Sequence, residues 1–244
     1  MLLKSSCYMF RRMLRGYLGL AILVVLPLAL ISVIGLVVGD AVDPALGIPA
    51  IDGVAMVIIF AFQLLGGNYT LDFLRSDLFS PRKWRLQALP YPPFCHALSI
   101  LISSSLFSAF QGFAMVLYTH WVYGVRWGSF LVILGLLLFF SAFNQLVYML
   151  IALSVKTDKL GERLGEVYGL GSFALAGVWF QLPNTLVFNF LARYGNPLSL
   201  SRNVMLYIMT GRYGTEALYS LAILLLATTA LVTASIYFGR RKLA

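Results

Sequence analysis

Residues 17–38 form an apolar run with no charged side chain, containing Pro27 near the middle. As a helix this run rises about 33 Å, enough to cross a hydrocarbon core of roughly 30 Å. It is too long for the apolar segment of a signal peptide, and no small-residue cleavage pattern follows promptly, so it reads as a mature span kinked at Pro27. Five further runs follow at about 51–69, 95–118, 129–153, 167–185 and 217–238. Of 244 residues, 60% are hydrophobic and 11% charged, against roughly 25% charged in soluble domains. No globular domain remains once the spans are removed. The expected fold is therefore an all-α membrane protein, one transmembrane domain over 1–244 with six transmembrane helices.

The charges lie between the runs. Residues 1–16 mix Leu2, Leu3, Tyr8, Phe10 and Met13 with Lys4, Arg11, Arg12 and Arg15, the pattern of an amphipathic helix in the headgroup layer; an ordinary basic flank that only sets topology is the alternative. Lys and Arg number 14 in the N-terminus, the stretch 71–93, the loop 154–166 and the C-terminus, and 4 on the other side (Arg126, Arg193, Arg202, Arg212). That asymmetry puts both termini and residues 71–93 in the cytoplasm. The net charge of +9 is thus an orientation signal, and nucleic acid is not an expected partner. Cys7 and Cys95 read as two unpaired thiols, with no metal-ligand spacing.

Residues 71–93, LDFLRSDLFSPRKWRLQALPYPP, carry four basic and two acidic side chains and are expected to form a watery loop with structure of its own. Ser80 and Pro81 signal a helix start, RKWRLQAL follows as a short amphipathic helix, and Pro90, Pro92 and Pro93 end it. Trp121, Tyr123 and Trp127 read as an interfacial aromatic belt, and His96 and His120 as interfacial residues at the ends of the third span.

No charged side chain lies at mid-depth in any span, which disfavours an ion-coupled mechanism. HExxH, GxSxG and GxxxxGK[ST] are all lacking, so neither intramembrane hydrolysis nor ATP hydrolysis is expected of this chain. Uncharged polar residues recur at helical spacing: Ser104, Ser108 and Gln111 in the third span; Ser141, Asn144, Gln145 and Tyr148 in the fourth; Gln63 and Asn68 in the second. They either line a path for an amphiphilic substrate or hydrogen-bond between helices as packing. Gly161, Gly165 and Gly169 form a seam for close approach of a helix from this chain or a second copy.

Taken together, a basic amphipathic helix, six spans, an early cytoplasmic loop containing RLQALPYPP, a proline-broken fifth span and NPLSLSR at 196–202 resemble the membrane subunits of type-2 ABC exporters, over essentially the whole chain. The resemblance implies a coupling helix within 70–93 that docks on a separate ATPase through Asp77, Pro81, Arg82, Lys83, Trp84 and Arg85. It implies outer-leaflet helices over 186–213, with Pro183, Asn196 and Pro197 at an outer gate. It further implies partners: two ABC ATPase subunits carrying ATP and Mg, a second permease subunit, identical or related, and membrane lipid, with no cofactor on this chain itself. The implied setting is a prokaryotic plasma or inner membrane and the implied cargo an amphiphile (drug, antibiotic peptide or lipid-like); the compact loops depart from drug-export relatives and favour a peptide or lipophilic antibiotic. A non-transporting membrane scaffold and, less favoured, a secondary transporter are the competing expectations.

Overall fold

The computed structural model describes residues 2–39, 41–43, 46–80, 84, 92–177 and 183–243. Among them the chain is helical, apart from an isolated bridge between Val42 and Pro49. α1 (Leu2–Leu14) is amphipathic: Phe10 packs edge-on against Phe107 and Phe110, while Leu3, Tyr8 and Leu14 stay exposed. α2 (Tyr17–Val38) runs through Pro27. α3 (Ala50–Leu65), α4 (Gly67–Leu74) and a π-helical turn (Arg75–Phe79) follow one another. α5 (Pro93–Tyr123), α6 (Phe130–Ser154), α7 (Asp158–Leu175), α8 (Leu186–Tyr194), α9 (Pro197–Thr210) and α10 (Gly214–Leu243) complete the described chain.

Five stretches are long and apolar enough to cross a bilayer: Ala21–Val38, Ala50–Phe79, Pro93–Tyr123, Phe130–Ser154 and Gly214–Lys242. α3, α5 and α6 form the centre, burying Met56, Ile59, Phe60, Ile100, Met115, Leu137 and Phe140. α2 and α10 flank it, with only 22% and 11% of their spans buried inside the chain. Their exposed faces are apolar and suit hydrocarbon as solvent.

Several sequence expectations change here. The helical run that starts at Ala50 continues to Phe79, with one break at Gly66, so residues 71–79 are not a loop. Their inward side chains Leu71, Leu74, Arg75, Asp77 and Leu78 are buried, because protein covers the segment on both sides. Asp52, just inside the expected second span, is buried in the first turn of α3, where a carboxylate matches the positive end of the helix dipole.

The expected fifth span is also redrawn. α7 begins at Asp158, not 167, with Thr157 in the extended backbone of an N-cap residue. It carries Asp158, Lys159, Glu162, Arg163 and Glu166 and is not among the five apolar stretches. Its end comes before Pro183: Gly177 takes φ +70, the left-handed residue that closes a helix, and donates to the Ala174 carbonyl. Residues 178–182 lie outside the described residues. At the far end of α5, Trp127 leaves the aromatic belt; it is 1% exposed and its Nε1 donates to Thr119 Oγ1 (3.0 Å). Trp121 is 76% exposed, as a belt residue should be.

Candidate functional site

One end of the bundle gathers most of the described ion pairs around the π-helical turn. Positions 75 and 77 point to roughly opposite sides of a helix, and each side meets protein. On one side Arg12 Nη1 donates to Asp77 Oδ2 (2.6 Å), and His96 Nε2 lies 3.1 Å from the same oxygen. The first contact ties α1 to the turn, the second ties it to the start of α5. Arg12 also stacks over the Phe73 ring at 4.7 Å. His96 is therefore a buried partner of a carboxylate and not a simple interfacial histidine.

On the other side Arg75 fills the corner between α6 and α7. Its Nε donates to Asp158 Oδ1 (2.5 Å), Nη1 to the carbonyls of Ala152 (3.4 Å) and Val155 (3.2 Å), and Nη2 to that of Lys156 (3.3 Å). Those of Ala152 and Val155 are carbonyls that the C-terminus of α6 leaves without intrahelical donors, and that of Lys156 follows in the connection to α7. The C-terminal helix joins the same cluster. Lys242 Nζ donates to the Val155 carbonyl (3.2 Å) and sits 5.8 Å from the Phe79 ring. α1, the π-helical turn, the α6–α7 corner and the end of α10 thus meet at one end of the bundle.

Of the residues assigned to ATPase coupling, Asp77 is buried at this cluster and Trp84 is helical and 68% exposed. Pro81, Arg82, Lys83 and Arg85 lie outside the described residues, as do 86–91. Ser80 has an extended backbone (φ −90, ψ 176), compatible with a helix start after it, and its hydroxyl donates to the Ser76 carbonyl. Arg12, Arg75 and His96 were missed by sequence reading. The signal available was weak: a charge two positions from another charge at the end of an apolar helix requires protein on both faces if the helix continues.

The uncharged polar residues converge inside the bundle. Gln63, Ser104, Ser108, Gln111, Ser141, Asn144, Gln145 and Tyr148 are all 4% exposed or less, while Asn68 is half-buried. Asn144 Nδ2 donates to the carbonyls of Gln63 (2.7 Å) and Leu64 (3.0 Å), just before the break at Gly66. Gln63 Nε2 reaches Ser141 Oγ (3.0 Å) and the Ser108 carbonyl (3.2 Å). Thr70 Oγ1 donates to Gln145 Oε1 (2.6 Å) and lies 2.5 Å from Ser104 Oγ. Gln111 Nε2 donates to the Leu23 carbonyl on α2. The network stitches α2, α3, α4, α5 and α6 together and leaves capacity unused: Gln63 Oε1, Ser108 Oγ, Gln111 Oε1, Asn144 Oδ1 and Gln145 Nε2 have no hydrogen-bond partner among the described residues.

The glycine seam finds its neighbour within the chain. A Cβ on Gly161 would meet Leu71, one on Gly165 would meet Tyr148 and Asn68, and one on Gly169 would meet Leu65. α7 therefore packs along α3 and α4 at the level of the break. At the outer-gate positions, Asn196 is fully buried and caps α9: its Oδ1 accepts from Leu198 N (3.0 Å) and its Nδ2 donates to the Ser172 carbonyl of α7 (2.6 Å). Pro197 occupies the first helical turn, where a missing N–H costs nothing. Pro183 is exposed and outside any described helix. Among the described residues no group of three or more His, Cys, Asp or Glu could hold a metal. Comparison with protein-family models, with curated proteins and with solved structures finds no match for this chain.

Proposed function

We propose that this chain is the membrane subunit of an ATP-driven exporter of the type-2 ABC kind, paired with a second permease subunit and two separate ATPase subunits. The observation that carries the reading is the charged cluster at the π-helical turn. The segment 80–92 departs from the place where, among the described residues, α1, α5, the α6–α7 corner and the end of α10 are joined through Arg12, Asp77, His96, Arg75 and Lys242. A push or pull delivered there by a docked partner reaches every one of those elements without crossing a loop. Among the described residues the network between α3, α4, α5 and α6 is made of uncharged polar groups, several with spare hydrogen-bonding capacity; in this reading the driving energy enters from the partner, and the polar seam is available to an amphiphile when the helices separate. In this reading Arg82, Lys83, Trp84 and Arg85 form the docking face, a sixth crossing is completed around α7, and the charged end lies in the cytoplasm of a prokaryotic cell.

Arg82→Glu combined with Lys83→Glu is expected to abolish co-purification of an ABC ATPase while the chain still elutes as a single folded species in detergent. A folded double variant that keeps its ATPase, or a wild-type chain that never brings one down, would leave a non-transporting scaffold as the better reading. The polar seam is tested separately. Gln111→Leu and Gln145→Leu are expected to change substrate-stimulated ATPase activity several-fold while complex assembly is unaffected; unchanged stimulation would return both residues to helix packing, where such bonds contribute about 0.6–2 kcal/mol.

A further inference from the structure

At the opposite end of the run Ala50–Phe79 from the charged cluster, α9 presents Ser199 and Arg202 on one face, three residues apart. Both line a cavity of about 550 Å³ together with Asn189, Arg193, Asn203 and Glu216. Arg202 also lines a second cavity of about 650 Å³, whose walls include Ile34, Val54, Val57 and Ile58. Arg202 therefore lies where a more polar cavity adjoins a more apolar one.

Several of the polar groups around it are committed elsewhere. Arg193 is paired with Glu216, Asn189 Nδ2 donates to Asn184 Oδ1 (2.8 Å), and Asn203 Nδ2 donates to Ser220 Oγ (3.1 Å). Asp43, on the wall of the apolar cavity, acts on Arg202 through space but accepts a hydrogen bond from Leu46 N (3.3 Å). Among the described residues, the Arg202 guanidinium makes no hydrogen bond or ion pair although it is half-buried. A guanidinium offers five N–H donors, and withdrawing it from water unmatched is unfavourable unless an anion completes it.

We infer that this cleft binds the anionic head of an amphiphile, a phosphate or carboxylate held by Arg202 with Ser199 as a second donor, and that the apolar chain lies along Val54, Val57 and Ile58. A free anion would satisfy the guanidinium but leave the apolar cavity unused. That the bound molecule is cargo rests on the exporter reading above; the binding itself does not.

The test uses the full chain in uncharged detergent, with adducts quantified by native mass spectrometry. The probes are phosphatidylglycerol, oleate, phosphatidylcholine and inorganic phosphate. Phosphatidylglycerol or oleate is expected to bind as one saturable adduct, more tightly than phosphatidylcholine, and Arg202→Gln is expected to weaken it roughly tenfold or more. Arg202→Lys should recover part of the affinity, and Arg212→Gln, at an exposed arginine outside both cavities, should change nothing. The inference is overturned if neither anionic probe binds, if Arg202→Gln binds like the wild type, or if inorganic phosphate binds as tightly as the lipids. A lost adduct beside a retained ATPase would overturn this site alone; a retained adduct with no ATPase would overturn the exporter reading alone.

Discussion

Arg75→Met is expected to destabilise the folded chain by about 2–3 kcal/mol, read as a lower unfolding midpoint in a detergent titration. The magnitude follows from which partners lose what. Asp158 is 71% exposed and regains water, so its half of the ion pair contributes little. The carbonyls of Ala152 and Lys156 lose the donors that Arg75 brought to the α6–α7 corner, while that of Val155 keeps Lys242. Leaving buried acceptors unmatched costs about 1–3 kcal/mol per group, less where water reaches them. Asp158→Asn should accordingly cost under about 1 kcal/mol. Arg75→Lys should fall between the two, since a compact ammonium cannot reach three carbonyls and a carboxylate from one planar fork. If Asp158→Asn proved as damaging as Arg75→Met, the ion pair would dominate and the carbonyl account would be wrong.

Much of this architecture was legible in the chain because lipid imposes strict terms on sequence. Runs without charge, such as 17–38 and 129–153, have few places to be except in helices crossing hydrocarbon. The interfacial pattern of residues 1–16 likewise became α1. Residues 71–79 were misread for a physical reason: charge in a sequence implies water only when no partner is at hand. The partners of Asp77 and Arg75 are Arg12, His96 and Asp158, the first and last far away in the chain, and no local pattern announces them. Nor does any local signal announce the π-helical turn. The boundary near 167 failed similarly, because a helix whose first turns are charged looks like loop until its cap at Thr157 is weighed. Trp127 carries the composition of a belt residue and is buried by a hydrogen bond to Thr119, a contact set by tertiary packing. The glycine seam at 161, 165 and 169 was visible from spacing, whereas its match to Leu65, Asn68, Leu71 and Tyr148 required the fold. As for the site, the polar faces were found and their mutual burial was not. Arg202 was counted only for its sign, and its place between two cavities depends on α2, α3 and α9 together.

The break in the run Ala50–Phe79 gives the second large effect, and here its sign is the test. An alanine in place of a helical glycine ordinarily stabilises by about 0.8–1 kcal/mol. At Gly67 the added Cβ would stand 2.0 Å from Tyr148 Cδ2 and 2.2 Å from Cε2, well inside van der Waals contact. The ring cannot swing aside. It is fully buried, its hydroxyl donates to the Gly165 carbonyl (3.2 Å), and a Cβ on Gly165 would in turn lie 2.8 Å from Tyr148 Cε1. Tyr148 is thus clasped between the backbones of α4 and α7, and Gly67→Ala should cost about 3 kcal/mol, at the upper end of what overpacking a core does. Tyr148→Ala alone is also damaging, by roughly 3–5 kcal/mol, through the cavity it opens. Combined, the two should not add. With the ring gone, Gly67→Ala should turn neutral or stabilising, giving a coupling energy near 3 kcal/mol in a double-mutant cycle. The same cost for Gly67→Ala in both backgrounds would mean that the strain lies in the backbone of the break and not against the ring. The cycle bears on mechanism because α4 is the stem of the charged cluster: Tyr148 holds its direction just beyond Gly66, where Asn144 holds the freed carbonyls. A ring so placed lets the half of the helix that ends at Arg75 and Asp77 pivot only if α6 and α7 move with it; in the exporter proposed above, a partner's force on that end would pass to α6 and α7 and not be dissipated in a flexible joint.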